Sequence, residues 1–498
     1  MDTTGLTPLL ALLVPVLGAA GVVLLRRHPP ARELCGILAG IAQLGLVATM
    51  VPAVRDGGTV SVTLSTFLPE VSIALRADAL GIVLAGTAAV LWVLTTVYAM
   101  GYFGTAPDPA VTRFHFYLCL TMAATIGVAF SANLITLFLF YEVMTVITYP
   151  LVTLTGTPEA IRGGRRYLAY QLGSAIAFLL PAIVLTYIEA GTFDFVPGGI
   201  FGPDASGVLL VIIFVFFLLG IAKAALMPVH SWLPAAMVAP VPVSALLHAV
   251  AVVNVGVFCV MRVVLDVFGS DLTGDLGLGV LTLVLTSATI LVASLYALRL
   301  DNLKAILAYS TIGQLSYMML GVALLSPAGR TGAILHLVGH SFSKITLFFA
   351  VGSIYLATHR ALASELRGIG RQLPWTMTAF AIGALSIIGL PPTVGFVAKY
   401  FLFVGAVEAG QWAALVVLSV STLLSAAYYL RILRSALFDA PVAVHTGHPG
   451  DSAGLLRPPT VTERGALVVA PMLVTAAVTL LLGVAPGWLL DLIRVVSG

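Results

Sequence analysis

The sequence predicts an all-α polytopic membrane protein of about fourteen transmembrane helices, with two inverted five-helix repeats that each contain one discontinuous helix. Three observations carry this. Of the 498 residues, 60% are hydrophobic and only 9% charged, and the mean hydropathy is +1.08. Soluble domains carry roughly 25% charged residues, so a bilayer is the solvent for this much apolar surface. Apolar runs of about 20 residues, the length that crosses a hydrocarbon layer, recur along the whole chain, and two of them are cut by prolines beside a lysine.

The spans fall at 6–25, 33–53, 78–101, 112–130, 133–155, 166–189, 206–226, 242–265, 276–298, 303–325, 331–357, 373–390, 411–434 and 466–489. Two short pieces, 229–238 and 393–408, read as second halves of broken helices. The first run follows Asp2 and precedes Arg26, Arg27 and Arg32. A cleaved signal has its positive charge ahead of the apolar part, so this run is expected to stay as a helix. Segment 54–77 alternates (Val60, Val62, Leu64; Val71, Ile73, Leu75) around Pro69, the pattern of an outer β-hairpin. With the N-terminus outside, inner loops hold sixteen basic residues and outer segments five: Arg55, Arg76, Arg262, Arg330 and Arg494. The positive-inside rule then predicts a plasma (inner) membrane protein with both termini outside. The Pro/Gly/His-rich stretch at about 438–465 is expected to be an inner connector.

Five spans is an odd number, so block 276–434 enters the membrane opposite to block 112–265. In both, the fourth span is the broken one, as in inverted-repeat transporters. The expected division is 1–111 (three helices and the hairpin), 112–265, 276–434 and 435–498 (inner loop and last helix). A net charge of +3 points to no nucleic acid. Cys35, Cys119 and Cys259 lie far apart without a CxxC pair and read as small core residues, so no metal or other cofactor is expected.

Only four of the 24 basic residues are lysines, and three of these lie inside apolar stretches. A GC-rich genome replaces lysine with arginine wherever either serves. Yet lysine can lose its proton when desolvated and arginine cannot. Lys223 sits just before Pro228 and Pro234, and Lys399 just after Pro391, Pro392 and Gly395. Such breaks are tolerated in a membrane where they are buried in protein or line a watery cavity. Glu142 lies in LFLFYEVMTVITYP, where a carboxylate costs roughly 2.5–3.5 kcal/mol on insertion scales; the competing role is helix packing. His336, His340 and Lys344 recur at spacing four and share one helix face, about 6 Å per step. HxxxH on a helix can bind zinc, but no acidic third ligand is near, and a file of titratable groups suits proton transfer better. His248 alone would read as a packing residue; its place between the two lysine-bearing breaks makes it a candidate. Lys304, after Asp301, is expected to be an interfacial anchor with a salt-bridge partner, and Arg262, Arg299 and Arg431 to be snorkelling helix ends.

Five stretches occur in order: FYEVMTVITYPLV, GIAKAALMPVHSWLPAAMVAPVPVSALLHA, DNLKAILAYSTIGQLSYM, HLVGHSFSKITLFF and GLPPTVGFVAKYF. Through them about residues 112–405 resemble the antiporter-type proton-translocating subunits shared by respiratory complex I, Mrp cation/proton antiporters and membrane-bound hydrogenases. The resemblance implies fourteen helices, an input pair Glu142–Lys223, a bridge at His248, a continuation through His336, His340 and Lys344, and a terminal exit at Lys399. It implies other integral membrane subunits as partners, protons exchanged for Na⁺ or K⁺, and no independent catalysis. His248 and HxxxHxFxK look like the largest complex I antiporter subunit and Mrp A, whereas the length and GLPP look like Mrp D or a hydrogenase subunit.

The expected function is that of a proton-translocating subunit of an Mrp-type antiporter, D-like. The alternatives are a pumping subunit of a complex I or hydrogenase-type oxidoreductase and a proton-coupled subunit of an inorganic carbon uptake system. Three rivals lie outside this class. A stand-alone transporter would act as the purified chain. A redox subunit would need cofactor motifs that the sequence lacks. A scaffold gives no reason for a row of midplane ionisable groups.

Overall fold

The computed structural model describes residues 3–68, 71–104, 108–440 and 462–497. Among these, twelve helices are long and apolar enough to cross a membrane. They are α1 (Thr7–Leu24), α2 (Pro29–Arg55), α3 (Ala79–Phe103), α4 (Pro109–Ala129), α5 (Leu134–Val152), α6 (Pro158–Ala190), α8 (Val241–Phe268), α9 (Leu278–Arg299), α10 (Leu303–Ala323), α11 (Pro327–Thr358), α14 (Trp412–Phe438) and α15 (Ala466–Val484). Two shorter apolar helices, α7 (Gly207–Gly220) and α12 (Pro374–Ile388), precede chain breaks. After the second break comes α13 (Val394–Glu408), and α16 (Gly487–Ser497) ends the described chain. These twelve spans, with the two shorter helices that end at breaks, make a polytopic helical membrane protein. The main apolar core runs from Ala11 to Ile493, and a second, smaller cluster packs Leu283, Ile290, Tyr317 and Leu402 together.

The helices start where their sequences supply caps. The side chains of Asp78, Asp108, Asn133, Thr157, Asn302 and Ser326 each accept a hydrogen bond from a first-turn N–H, satisfying donors that a helix leaves free. Pro is tolerated in these first turns because its missing N–H has no partner there. Strands β1 (Thr3–Thr4), β2 (Val60–Leu68) and β3 (Val71–Ala77) form one sheet in that order, β2 and β3 antiparallel with Val62 opposite Leu75. The sheet is tied to the start of α5: Asn133 donates to the Ser72 carbonyl (2.8 Å) and the Ala74 N–H to Thr136 (3.1 Å).

Burial separates two helices from the rest. Every residue in the most apolar window of α8 and of α11 is buried, against a third or so in α1, α2, α6 and α14. The two central helices carry His248 and the His336–His340–Lys344 face.

Several expectations change in detail. Helix α7 stops at Gly220, so Lys223 lies in a single 3₁₀ turn, Ala222–Ala224, and not in the helix. The second half expected at 229–238 holds only the turn Trp232–Ala235 and the 3₁₀ turn Ala236–Val238. Pro228 and Pro234 lack the N–H that a continuous helix requires. Helix α8 is interrupted at Val250–Ala251, which no proline or glycine announces. Helix α6 begins at Pro158, so Arg162, Arg165 and Arg166 are helical. The connector expected at about 438–465 lies largely outside the described residues, as does Pro69.

Candidate functional site: a row of buried lysines and histidines

Each break in a helix brings a lysine to a free carbonyl or a hydroxyl. After α7 the chain turns through Ala225, whose φ is +52°. The Trp232 indole N–H donates to the Ala222 carbonyl (2.9 Å), and the Lys223 backbone N–H donates to the Tyr141 hydroxyl (3.3 Å). Gly256 on α8 is pressed against this turn: a Cβ there would collide with the backbone of Lys223 and Ala224. The turn is therefore clamped from both sides. Lys223 is wholly buried. Its ammonium donates to Thr145 and lies 3.4 Å from the centroid of the Tyr141 ring, a cation–π contact.

Glu142 is on the same helix as Tyr141 and Thr145 but is only half buried. It stands within electrostatic reach of Lys223, yet no ion pair forms between them among the described residues. Both carboxylate oxygens are shielded from solvent and lack a hydrogen-bond partner. The expected input pair is thus two separated groups, with Thr145 and Tyr141 holding the lysine.

His248 is the last residue but one of the first segment of α8, two residues before Val250, and neither ring nitrogen has a partner. Its ring lies 5.1 Å from Phe348 of α11. Asn254 bridges the interruption, donating to the Ala249 carbonyl (2.9 Å) and to Ser341 of α11 (2.7 Å). His248 lies within electrostatic reach of His340 and Lys344. The His336 and His340 rings are 6.4 Å apart and nearly parallel. His336 meets Gln314 at 2.9 Å, and His340 has no partner on either nitrogen.

Lys344, wholly buried, donates to the Leu307 carbonyl (3.2 Å), Ser310 (2.7 Å) and Tyr429 (3.2 Å). Lys399 is 3% exposed. It reaches back over the α12–α13 break to the Ile388 carbonyl (2.9 Å) and to Thr422 (3.2 Å). The Tyr317 ring lies 4.8 Å from its ammonium and stacks on His336 at 5.7 Å. Lys344 joins the His row on α11; Lys399 is separated from it by that ring.

Two further readings are corrected. Arg262 is buried, not snorkelling: it pairs with Asp78 (2.6 Å) and Asp266 (2.8 Å) and packs on Phe195 and Phe258. Burial pushes the Asp78 carboxyl up, but Arg262 and the Gly81 N–H outweigh this and hold it below the usual carboxylate range. Lys304 has no salt-bridge partner among the described residues. It donates to the Ala239 carbonyl, while Asp301 accepts from Ser364. Sequence reasoning missed the neutral partners Tyr141, Thr145, Asn254, Ser310, Tyr317, Thr422 and Tyr429. The available signal was small: polar residues at helical spacing, such as Ser421, Ser425 and Tyr428 on α14.

Residues 131–425 match the model of the family described as NADH:quinone oxidoreductase/Mrp antiporter, transmembrane. NADH-quinone oxidoreductase subunit N of Desulforudis audaxviator is 32% identical over 437 residues, 86% of this chain and 86% of that protein. NADH-quinone oxidoreductase subunit L of Mycobacterium tuberculosis is 31% identical over 414 residues, 80% of this chain and 63% of the relative. A chain of the Mrp complex from Dietzia sp. DQ12-45-1b shares the fold, with a TM-score of 0.84 at 24% identity over 98% of this chain and 97% of that one. The chain therefore belongs to the NADH:quinone oxidoreductase/Mrp antiporter family of antiporter-like membrane subunits.

Proposed function

We propose that this chain is the proton-translocating subunit of a multisubunit membrane complex. Protons enter at Glu142 and Lys223, cross by His248 and the α11 face of His336, His340 and Lys344, and leave at Lys399. The observation that carries this is the state of three lysines. Lys223, Lys344 and Lys399 are buried to 3% exposure or less, and among the described residues their ammonium groups meet only hydroxyls, carbonyls and aromatic rings. Burying a charge costs several kcal/mol unless it is paired, so a lysine kept for packing alone would have a carboxylate. These lysines are held by groups that tolerate either protonation state. Glu142, with both oxygens unpartnered, is the movable charge: its approach favours Lys223⁺ and its withdrawal drives the proton onward.

Blocks 112–265 and 276–434 act as the two half-channels, each built around its broken helix. The parent complex that fits best is an Mrp-type cation/proton antiporter with this chain in the D-like position, exchanging Na⁺ or K⁺. Its fold matches 97% of a chain of an Mrp complex. The 32% identity with a subunit N favours a second reading, a complex I-type pumping subunit; the proteins that co-purify in mild detergent separate the two. The asymmetry of basic residues supports a plasma membrane orientation with both termini outside. The test is proton flux in the reconstituted complex. Lys223→Ala or Glu142→Ala abolishes flux with assembly intact; unchanged flux in Lys223→Ala rejects the axis.

A further inference from the structure

The final step of that reading, from Lys344 to Lys399, has no imidazole route. His336 lies within electrostatic reach of Lys399, and Tyr317 stands between them, stacked on the imidazole at 5.7 Å and presenting its π face to the ammonium at 4.8 Å. A π face offers no lone pair that can take up and pass on a proton. The Tyr317 hydroxyl donates to the Leu418 carbonyl (3.3 Å) and also faces the Ser421 and Thr422 hydroxyls on α14. His340 has no partner on either nitrogen.

Another set of groups does connect the two lysines. Resting on the reading above, we propose that the proton passes from Lys344 to Lys399 along a hydroxyl ladder on α14, through Ser310, Tyr428, Ser425 and Thr422. Lys344 donates to Ser310 at 2.7 Å; the Ser310 and Tyr428 hydroxyls are 3.1 Å apart; those of Tyr428 and Ser425 are 3.3 Å apart; and Lys399 meets Thr422 at 3.2 Å. Ser310, Ser425 and Tyr428 are buried at 2%, 1% and 1% exposure. The sequence builds the ladder by spacing: positions 422, 425 and 428 recur every third residue and so lie along one side of α14. The one open interval, Ser425 to Thr422, is a three-residue step along α14, and the proposal places one bridging water there.

A hydroxyl both donates and accepts, so it passes a proton without keeping a charge. As Lys344 gives a proton to Ser310, the Ser310 O–H proton moves to Tyr428, that of Tyr428 to Ser425, that of Ser425 to the bridging water, one of the water's to Thr422, and that of Thr422 to the neutral amine of Lys399. One bond to hydrogen forms and one breaks at each oxygen. Lys344 ends neutral, Lys399 ends charged, and no oxygen changes its proton count. Tyr429 is a side branch: it accepts from Lys344 and meets Ser310 at 3.0 Å, with no onward contact to Ser425 or Thr422 among those seen.

The test measures proton flux through the intact complex in proteoliposomes, with the melting temperature of each variant in detergent. Tyr428→Phe and Ser425→Ala are each expected to lower flux at least 10-fold at an unchanged melting temperature, and Ser425→Thr, which restores a hydroxyl, to recover most of it. Full flux in Tyr428→Phe overturns the ladder. So does a loss that follows melting temperature instead of the hydroxyl. If Lys344→Ala and Lys399→Ala still abolish flux in that case, the wider axis stands and only the ladder falls; wild-type flux in both lysine variants rejects the axis itself.

Discussion

At the scale of single residues, the charged members of the site were legible because each interrupts an apolar run: Glu142, Lys223, Lys344 and Lys399 stand out by cost alone. Their neutral partners were not. Threonine and serine are common in these helices, and most spend their hydroxyl on their own helix, as Thr95, Thr121 and Thr148 do on the carbonyl four residues back. Thr145 does the same on the Tyr141 carbonyl and holds Lys223 as well, and nothing in the sequence separates it or Ser310 from the others. The Glu142–Lys223 pair was implied by the family resemblance, whereas the structure satisfies Lys223 from Thr145 and the Tyr141 ring. Arg262 was read as a helix end, but it lies between Asp78 and Asp266. Asp78→Asn is expected to destabilise the protein by roughly 3 kcal/mol near neutral pH, the low end for breaking a buried pair, because Asp266 remains. The folded Asp78 carboxyl is held below its ordinary value. Its contribution is thus complete above the unfolded value of about 3.9 and is lost as pH falls through the lower folded value. Thermal melts of wild type and variant in detergent should therefore stay apart at pH 5 and above and converge only in stronger acid.

At the scale of elements, the two proline breaks were readable, since a proline leaves a carbonyl without its donor. The interruption of α8 was not: VSALLHAVAVVN carries neither proline nor glycine at 250–251. It is held by tertiary contacts, above all Asn254, which spans it and reaches Ser341. Asn254→Ala leaves the Ala249 carbonyl buried without that donor. The expected cost is about 1–3 kcal/mol, read by melting temperature, with faster amide exchange localised to residues near 249–254. Gly256 packs on the turn that carries Lys223, and a methyl group there meets backbone on the other side. Gly256→Ala is expected to displace the turn, lowering proton flux several-fold and stability by about 1–3 kcal/mol. Unchanged flux would show that the turn needs no such clamp.

At the scale of the whole molecule, the number of spans and the place of the breaks followed from run length and from proline positions, while the enclosure of α8 and α11 did not. Helix α8 is as apolar as the outer helices and α11 is less so, and packing puts both in the centre. That enclosure turns His248 and Lys344 from isolated oddities into parts of one row. On α5, Val146 lies exposed one turn from the half-buried Glu142, and on the proposed reading a neighbouring subunit acts on Glu142 across that face. Purification in mild detergent is expected to retain further membrane subunits, and the chain stripped of them to lose transport. The central claim is that the buried lysines exchange protons and do not merely carry charge. Lys223→Arg separates these, because arginine keeps the charge and the length but does not deprotonate. Measured as proton flux in the intact reconstituted complex, the substitution is predicted to abolish transport while assembly and melting temperature stay near wild type; full flux in Lys223→Arg would contradict the account.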